Sequence, residues 1–106
     1  MSDFTIERDQ NACRVAVGKE LTAALVPSLQ TALKKEIDSG ALSITFDLRG
    51  AAMLDSSGIG LLIATANSLA RKQGELRVAN ASGDIYHLLQ SMRLVSRLNV
   101  SPSQTP

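Results

Sequence analysis

Two hydrophobic periods take turns along this chain of 106 residues. Residues 3–8 alternate, with Phe4 and Ile6 on one side, and "CRVAV" at 13–17 alternates with Cys13, Val15 and Val17 on one side. A period of two marks a half-buried strand, and the intervening "RDQNA" supplies turn residues, so the pair predicts a hairpin. From Ala23 to Asp38 the period lengthens. Leu25, Leu29, Leu33 and Ile37 recur every fourth residue, the stripe of an amphipathic helix. Thr22 is its expected N-cap and Gly40 its expected stop. "LSITFDL" (42–48) reads as a strand, residues 56–72 as a helix and "ELRVA" (75–79) as a strand. Residues 82–93 carry Ile85, Leu88, Leu89 and Met92 behind a Ser82 cap and predict a third helix. "VSRLNV" (95–100) fits a last short strand or an extended edge.

Strands that alternate with helices require crossover connections, and these build a mostly parallel sheet. The expected fold is a small α/β domain over residues 1–100. It has a four- to five-stranded, mostly parallel sheet with an antiparallel edge strand, packed against three to four helices. Residues 101–106, "SPSQTP", have the composition of a disordered tail.

Composition narrows the function classes. The chain has two Phe, one Tyr and no Trp, so it lacks the stacking surface of most single-strand nucleic-acid binders. A net charge of +1 with scattered basic residues makes no phosphate-backbone footprint, and no nucleic acid is expected as partner. The opening "MSDFTIERDQ" has no apolar core of a signal peptide, and "GIGLLIATA" is too short to span a bilayer, so no membrane association is expected. One cysteine, Cys13, can build neither a disulfide nor a cysteine zinc site within the chain. A reducing, cytoplasmic setting and an inert core thiol are the expectation.

The segment "MLDSSGIGLLIATANSLARKQG" (53–74) concentrates an acid, two hydroxyls and two glycines at the mouth of the most apolar helix. On a helical wheel, Ile59, Leu62, Ile63, Ala66, Leu69 and Ala70 share the core face. Ser57, Leu61, Ala64 and Ser68 point outward. Asp55 and Ser56 fall at the helix N-terminus, where free N–H groups and the macrodipole favour an acid or a hydroxyl. Capping explains one such side chain but three stand in a row. Gly58 and Gly60 each cost a helix up to about 1 kcal/mol relative to Ala, so a bare backbone open to a partner is the expected compensation.

Enzymatic readings find little support. The nucleophile elbow G-x-S-x-G is absent, and the only histidine, His87, falls beside a core face instead of in a cleft. A phospho-aspartate receiver at Asp47 would want paired acids on an earlier strand, and only Glu20 is available there. Asp38, Asp47, Asp55 and Asp84 lack metal-ligand spacing and fit turn and cap roles. "GIG" alone is no phosphate loop. No cofactor and no catalytic residue are expected.

"FDLRGAAMLDSSGIGLLIATANSLARKQG" resembles the STAS domain of bacterial anti-sigma factor antagonists, in which D-S-[SA]-G-[IL]-G-x-[LI] opens a helix after a strand and an Asp-containing turn. The similarity spans about residues 4–98. It implies a partner switch in which this protein is the substrate and not an enzyme. By resemblance, Ser56 is phosphorylated by a serine-kinase anti-sigma factor, a GHKL-type ATPase. The unphosphorylated form binds that kinase and frees its target, and a PP2C-type phosphatase restores it. The implied partner-binding residues are Thr22, Asp55, Ser57, Gly58, Ile59, Gly60, Leu61 and Ala64. Where many relatives carry G-x-L-D, "GKELTAAL" places Thr22 at the Asp position, which removes any salt bridge that Asp would make. The alternative is a STAS scaffold or sensor subunit, not phosphorylated, in a regulatory or transport complex.

Overall fold

The computed structural model describes residues 3–103. Alternation fixes the first two strands: β1 (Phe4–Asp9) and β2 (Ala12–Val17) pair antiparallel as a hairpin turned at Gln10, whose φ is +57°. A two-residue strand, β3 (Glu20–Leu21), leads to helix α1 (Val26–Asp38). Then follow β4 (Ser43–Asp47), a second short strand β5 (Met53–Leu54), and α2 (Ser56–Ala70). The chain ends with β6 (Glu75–Ala81), α3 (Gly83–Ser91) and β7 (Val100–Pro102).

The main sheet has the order β1-β2-β4-β6-β7, antiparallel at β1 and parallel elsewhere, as the sequence predicts. Each crossover from β2 onward steps one strand further in the same direction. The right-handed rule therefore places α1, α2 and α3 on one face. Burial agrees, because Val15, Ile44, Phe46 and Val78 are wholly buried on that face. Arg14, Thr45 and Arg77, in register across β2, β4 and β6, are exposed or half-buried on the other. Cys13 lies in this core at 3% exposure, and burial pushes its thiol pKa up.

The helix stripes pack as expected: Leu25, Leu29, Leu33 and Ile37 are all buried. At its C-terminus α1 ends at Gly40, φ +112°, with the Ala41 N–H donating back to the Glu36 carbonyl at 2.9 Å. Arg8 completes that end, donating to the Glu36 carboxylate at 2.8 Å and to the Ser39 carbonyl at 3.2 Å.

Three expectations are corrected. Helix α1 begins at Val26, not Ala23, and Thr22 does not cap it. Residues 22–25 form a turn in which the Thr22 carbonyl accepts from Leu25 and Val26 N–H at 2.9 and 3.1 Å. Residues 95–99 form turns, and the last strand is instead Val100–Pro102 beside β6. A tail from residue 101 thus does not describe 101–103, where the Ser103 N–H donates to the Ala81 carbonyl at 2.8 Å. Residues 104–106 lie outside the described residues.

Candidate functional site

The start of α2 is assembled from two distant segments. β3 and β5 pair in parallel, with Glu20 opposite Met53 and Leu21 opposite Leu54. This brings the Thr22–Ala24 turn beside residues 55–58. Asp55 then joins the two. Its extended backbone stands just outside the helix, and Oδ1 accepts the Gly58 N–H at 2.9 Å, the geometry of an N-cap. Oδ2 accepts the Ala23 N–H at 3.0 Å, and the Asp55 N–H donates to the Leu21 carbonyl at 3.3 Å. The N–H groups of Gly58 and Ala23 hold the Asp55 carboxyl below the usual carboxylate range.

With Asp55 serving as the cap, the hydroxyls are released from that duty. Ser56 and Ser57, the first two helical residues, are exposed, and neither side chain has a hydrogen-bond partner among the described residues. Gly60 and Ala64 continue the exposed surface along the helix, and an added Cβ at Gly60 would meet nothing within 4 Å. Thr22 is half-buried in the adjoining turn, with Ala23 and Ala24 exposed beside it. The structure therefore brings Thr22, Ser56, Ser57, Gly60 and Ala64 toward one surface around the Asp55 link.

Three residues expected at that surface lie beneath it. Gly58 is buried, and its glycine answers an internal need: a Cβ there would stand 2.2 Å from the Leu21 carbonyl oxygen. The partner this backbone approaches is its own chain. Ile59 is 7% exposed and belongs to the core. Leu61, placed outward by the wheel, is 5% exposed because α1 packs over that side of α2. One candidate was missed. Met53 is 55% exposed, three residues before Ser56, while its neighbour Leu54 is buried. The alternation of β5 carries that signal, but two residues are too few for a period to be read.

Asp47 lies at the end of β4 and is engaged within the fold. It accepts from Asn80 Nδ2 and the Arg49 N–H at 3.0 Å each, and from Arg14 at 2.9 Å. Burial alone would raise its pKa, but these donors and the Arg14 charge outweigh it and hold the carboxyl low. His87 is exposed on α3.

Comparison with known proteins agrees with this architecture. The STAS domain model matches residues 3–104. The anti-sigma-B factor antagonist of Staphylococcus aureus is 30% identical over 87 residues, covering 82% of this chain and 81% of its own. The anti-sigma factor antagonist SpoIIAA in its unphosphorylated form superposes with a TM-score of 0.84 at 20% identity, covering 95% of this chain and 88% of its own. The Bacillus cell fate determinant SpoIIAA in the phosphorylated form gives 0.78 at 20% identity, covering 95% and 91%. Fold, signature helix and relatives converge, and the chain belongs to the STAS-domain anti-sigma factor antagonist family.

Proposed function

We propose that this protein is a non-enzymatic cytoplasmic partner switch, controlled by phosphorylation of Ser56. The observation that carries this reading is the unengaged, exposed Ser56 hydroxyl beside an Asp55 whose two carboxylate oxygens are both taken. Ser56 is reachable by a kinase, and its modification displaces no existing side-chain bond. The solved neighbour SpoIIAA occurs in both unphosphorylated and phosphorylated forms, which supports a chemistry of this kind here.

The physics of a switch is favourable at this position. Phosphate adds about −1.5 to −2 charge. At a helix N-terminus that charge faces free N–H groups and the positive end of the dipole, so the fold tolerates it. Within a dry protein interface, burying an unpaired anion costs several kcal/mol. A loss of about 4 kcal/mol weakens binding roughly a thousandfold. One phosphoryl group thus leaves the domain folded and removes its partner. That partner is a serine-kinase anti-sigma factor of the GHKL ATPase type, with a PP2C-type phosphatase resetting the serine. The docking surface is Thr22, Ser57, Gly60 and Ala64 around Ser56, with Met53 at its margin.

Paired pull-downs from lysate of the source organism test this, using the domain with Ser56→Ala and with Ser56→Asp as baits. The expected result is a GHKL-type kinase on the Ala bait alone. Incubating the wild-type chain with that kinase and ATP should add one phosphoryl group to the tryptic peptide of residues 50–71, at Ser56. Equal capture by both baits, or no modification at Ser56, would overturn the switch and leave a STAS scaffold whose serines only open a helix.

A further inference from the structure

Asp55 is tied down at both ends of its backbone as well as through its side chain. Its N–H donates to the Leu21 carbonyl at 3.3 Å, and its own carbonyl accepts the Ile59 N–H at 3.0 Å. Oδ1 and Oδ2 accept from Gly58 and Ala23 at 2.9 and 3.0 Å. Ser56 follows directly, exposed and without a side-chain partner among the described residues, so the place of its hydroxyl is inherited from Asp55. The Oδ2 bond adds a second constraint. Leu25 N–H donates to the Thr22 carbonyl at 2.9 Å, which makes residues 22–25 a β-turn with Ala23 at its second position. The Ala23 N–H leaves that turn and reaches Asp55.

A carboxylate beside an acceptor serine has two roles open to it: it takes the hydroxyl proton, or it holds the serine in place. A general base must reach the proton it removes and have a pKa near the working pH. Both Asp55 oxygens are turned to backbone amides, and those of Gly58 and Ala23 hold its carboxyl below the usual carboxylate range. We propose that Asp55 is a positioning residue for phosphoryl transfer to Ser56. Through Gly58 it fixes the serine, through Ala23 it fixes the Thr22–Ala24 turn, and the kinase meets both in one arrangement. In the transfer, Ser56 Oγ bonds the γ-phosphorus of ATP, the bond from that phosphorus to the bridging oxygen breaks, and ADP leaves. The serine proton passes to an acceptor on the kinase, not to Asp55. The proposal rests on the partner-switch reading of Ser56.

Steady-state phosphorylation of the full chain by the kinase captured on the Ser56→Ala bait tests it, at a temperature where urea melts show every variant folded. Ala23→Pro removes one N–H and leaves the Asp55 carboxylate in place. Ala23 has no positive φ, and proline suits the second position of such a turn. Asp55→Asn removes the same bond from the other side. Each should raise KM roughly three- to tenfold with kcat within about twofold. The double variant should be no worse than either single one, since both delete one bond. Asp55→Ala, which loses the Gly58 bond as well, should also lower kcat by roughly tenfold or more. If Asp55 took the proton, Asp55→Asn would lower kcat by roughly a hundredfold or more at unchanged KM while Ala23→Pro behaved as wild type. That result would overturn the proposal. Wild-type KM in both Ala23→Pro and Asp55→Asn would overturn it too, with the switch intact. No transfer to the wild-type chain would sink the switch itself, and the proposal with it.

Discussion

Asp55 Oδ2 accepts the backbone N–H of Ala23 at 3.0 Å, across 32 residues of sequence. The same carboxylate caps α2 through Gly58, so one side chain sets both the start of the helix and the position of the turn beside it. Asp55→Asn keeps one oxygen and should hold only one of these bonds. Hydrogen exchange should then speed up at Ala23 by roughly two- to tenfold, with Gly58 still protected. Asp55→Ala should expose both amides and lower the thermal midpoint by roughly 4–8 °C, the usual effect of losing a cap in a domain this size. Unchanged exchange at Ala23 in both variants would show that the turn holds itself.

The two glycines of the signature should respond oppositely to the same substitution. At Gly58 a Cβ would stand 2.2 Å from the Leu21 carbonyl oxygen and 2.8 Å from Leu54 Cδ1, and the backbone carbonyl cannot yield cheaply. Gly58→Ala should cost about 1–3 kcal/mol or more in urea denaturation. Gly60 has open space around its Cα, so Gly60→Ala should stabilise by up to about 1 kcal/mol. If Gly60 also faces the kinase, the more stable variant should bind that kinase less well.

Arg8 closes the C-terminal end of α1 through Glu36 and Ser39 with a half-buried guanidinium. Arg8→Ala removes the partner of the Glu36 carboxylate and the guanidinium donor to the Ser39 carbonyl and should cost about 1–2 kcal/mol. Lys34 and Asp38, by contrast, form an exposed pair one turn apart at 3.3 Å. Lys34→Ala should change stability by no more than about 0.5 kcal/mol. Equal effects of the two substitutions in urea would contradict the role of Arg8 as a helix closure.

Acid should unfold the domain through Asp47 and Asp55, both held below the ordinary carboxylate range in the fold. A carboxyl that titrates lower when folded takes up its proton more readily once the chain unfolds. The resulting stability is complete above the unfolded value of about 3.9 and is lost as pH falls through the lower folded value. The urea midpoint should therefore be nearly flat from about pH 7 to pH 5 and fall below about pH 4. Asp47→Asn should lower the plateau and make the acid fall shallower, because its three donors then face a side chain with one acceptor.

Local periodicity carried most of the architecture. The hairpin, the three helices and the antiparallel edge follow from residues within one or two turns of each other. So does the acid at the mouth of α2, since capping is a local event. What escaped the sequence depends on contacts between distant segments. Helix α1 starts three residues late: Pro27, which has no N–H to donate, stands in its first turn, and the turn before it is tied to Asp55, far along the chain. The outward face of α2 at Leu61 is buried because α1 lies over it, which a wheel of α2 alone cannot show. β3 and β5 are two residues each, shorter than any period, and exist through mutual pairing.

The close approach of Gly58 to Leu21 has a consequence for recognising switches of this kind. Gly58 and Asp55 serve contacts within the domain, so a descendant that had lost its kinase would still lose stability by giving up either. Most of the signature therefore reports foldedness. On the proposed function, modification is read at a single oxygen atom at position 56, and a survey that scores the motif as a whole would count retired switches together with working ones.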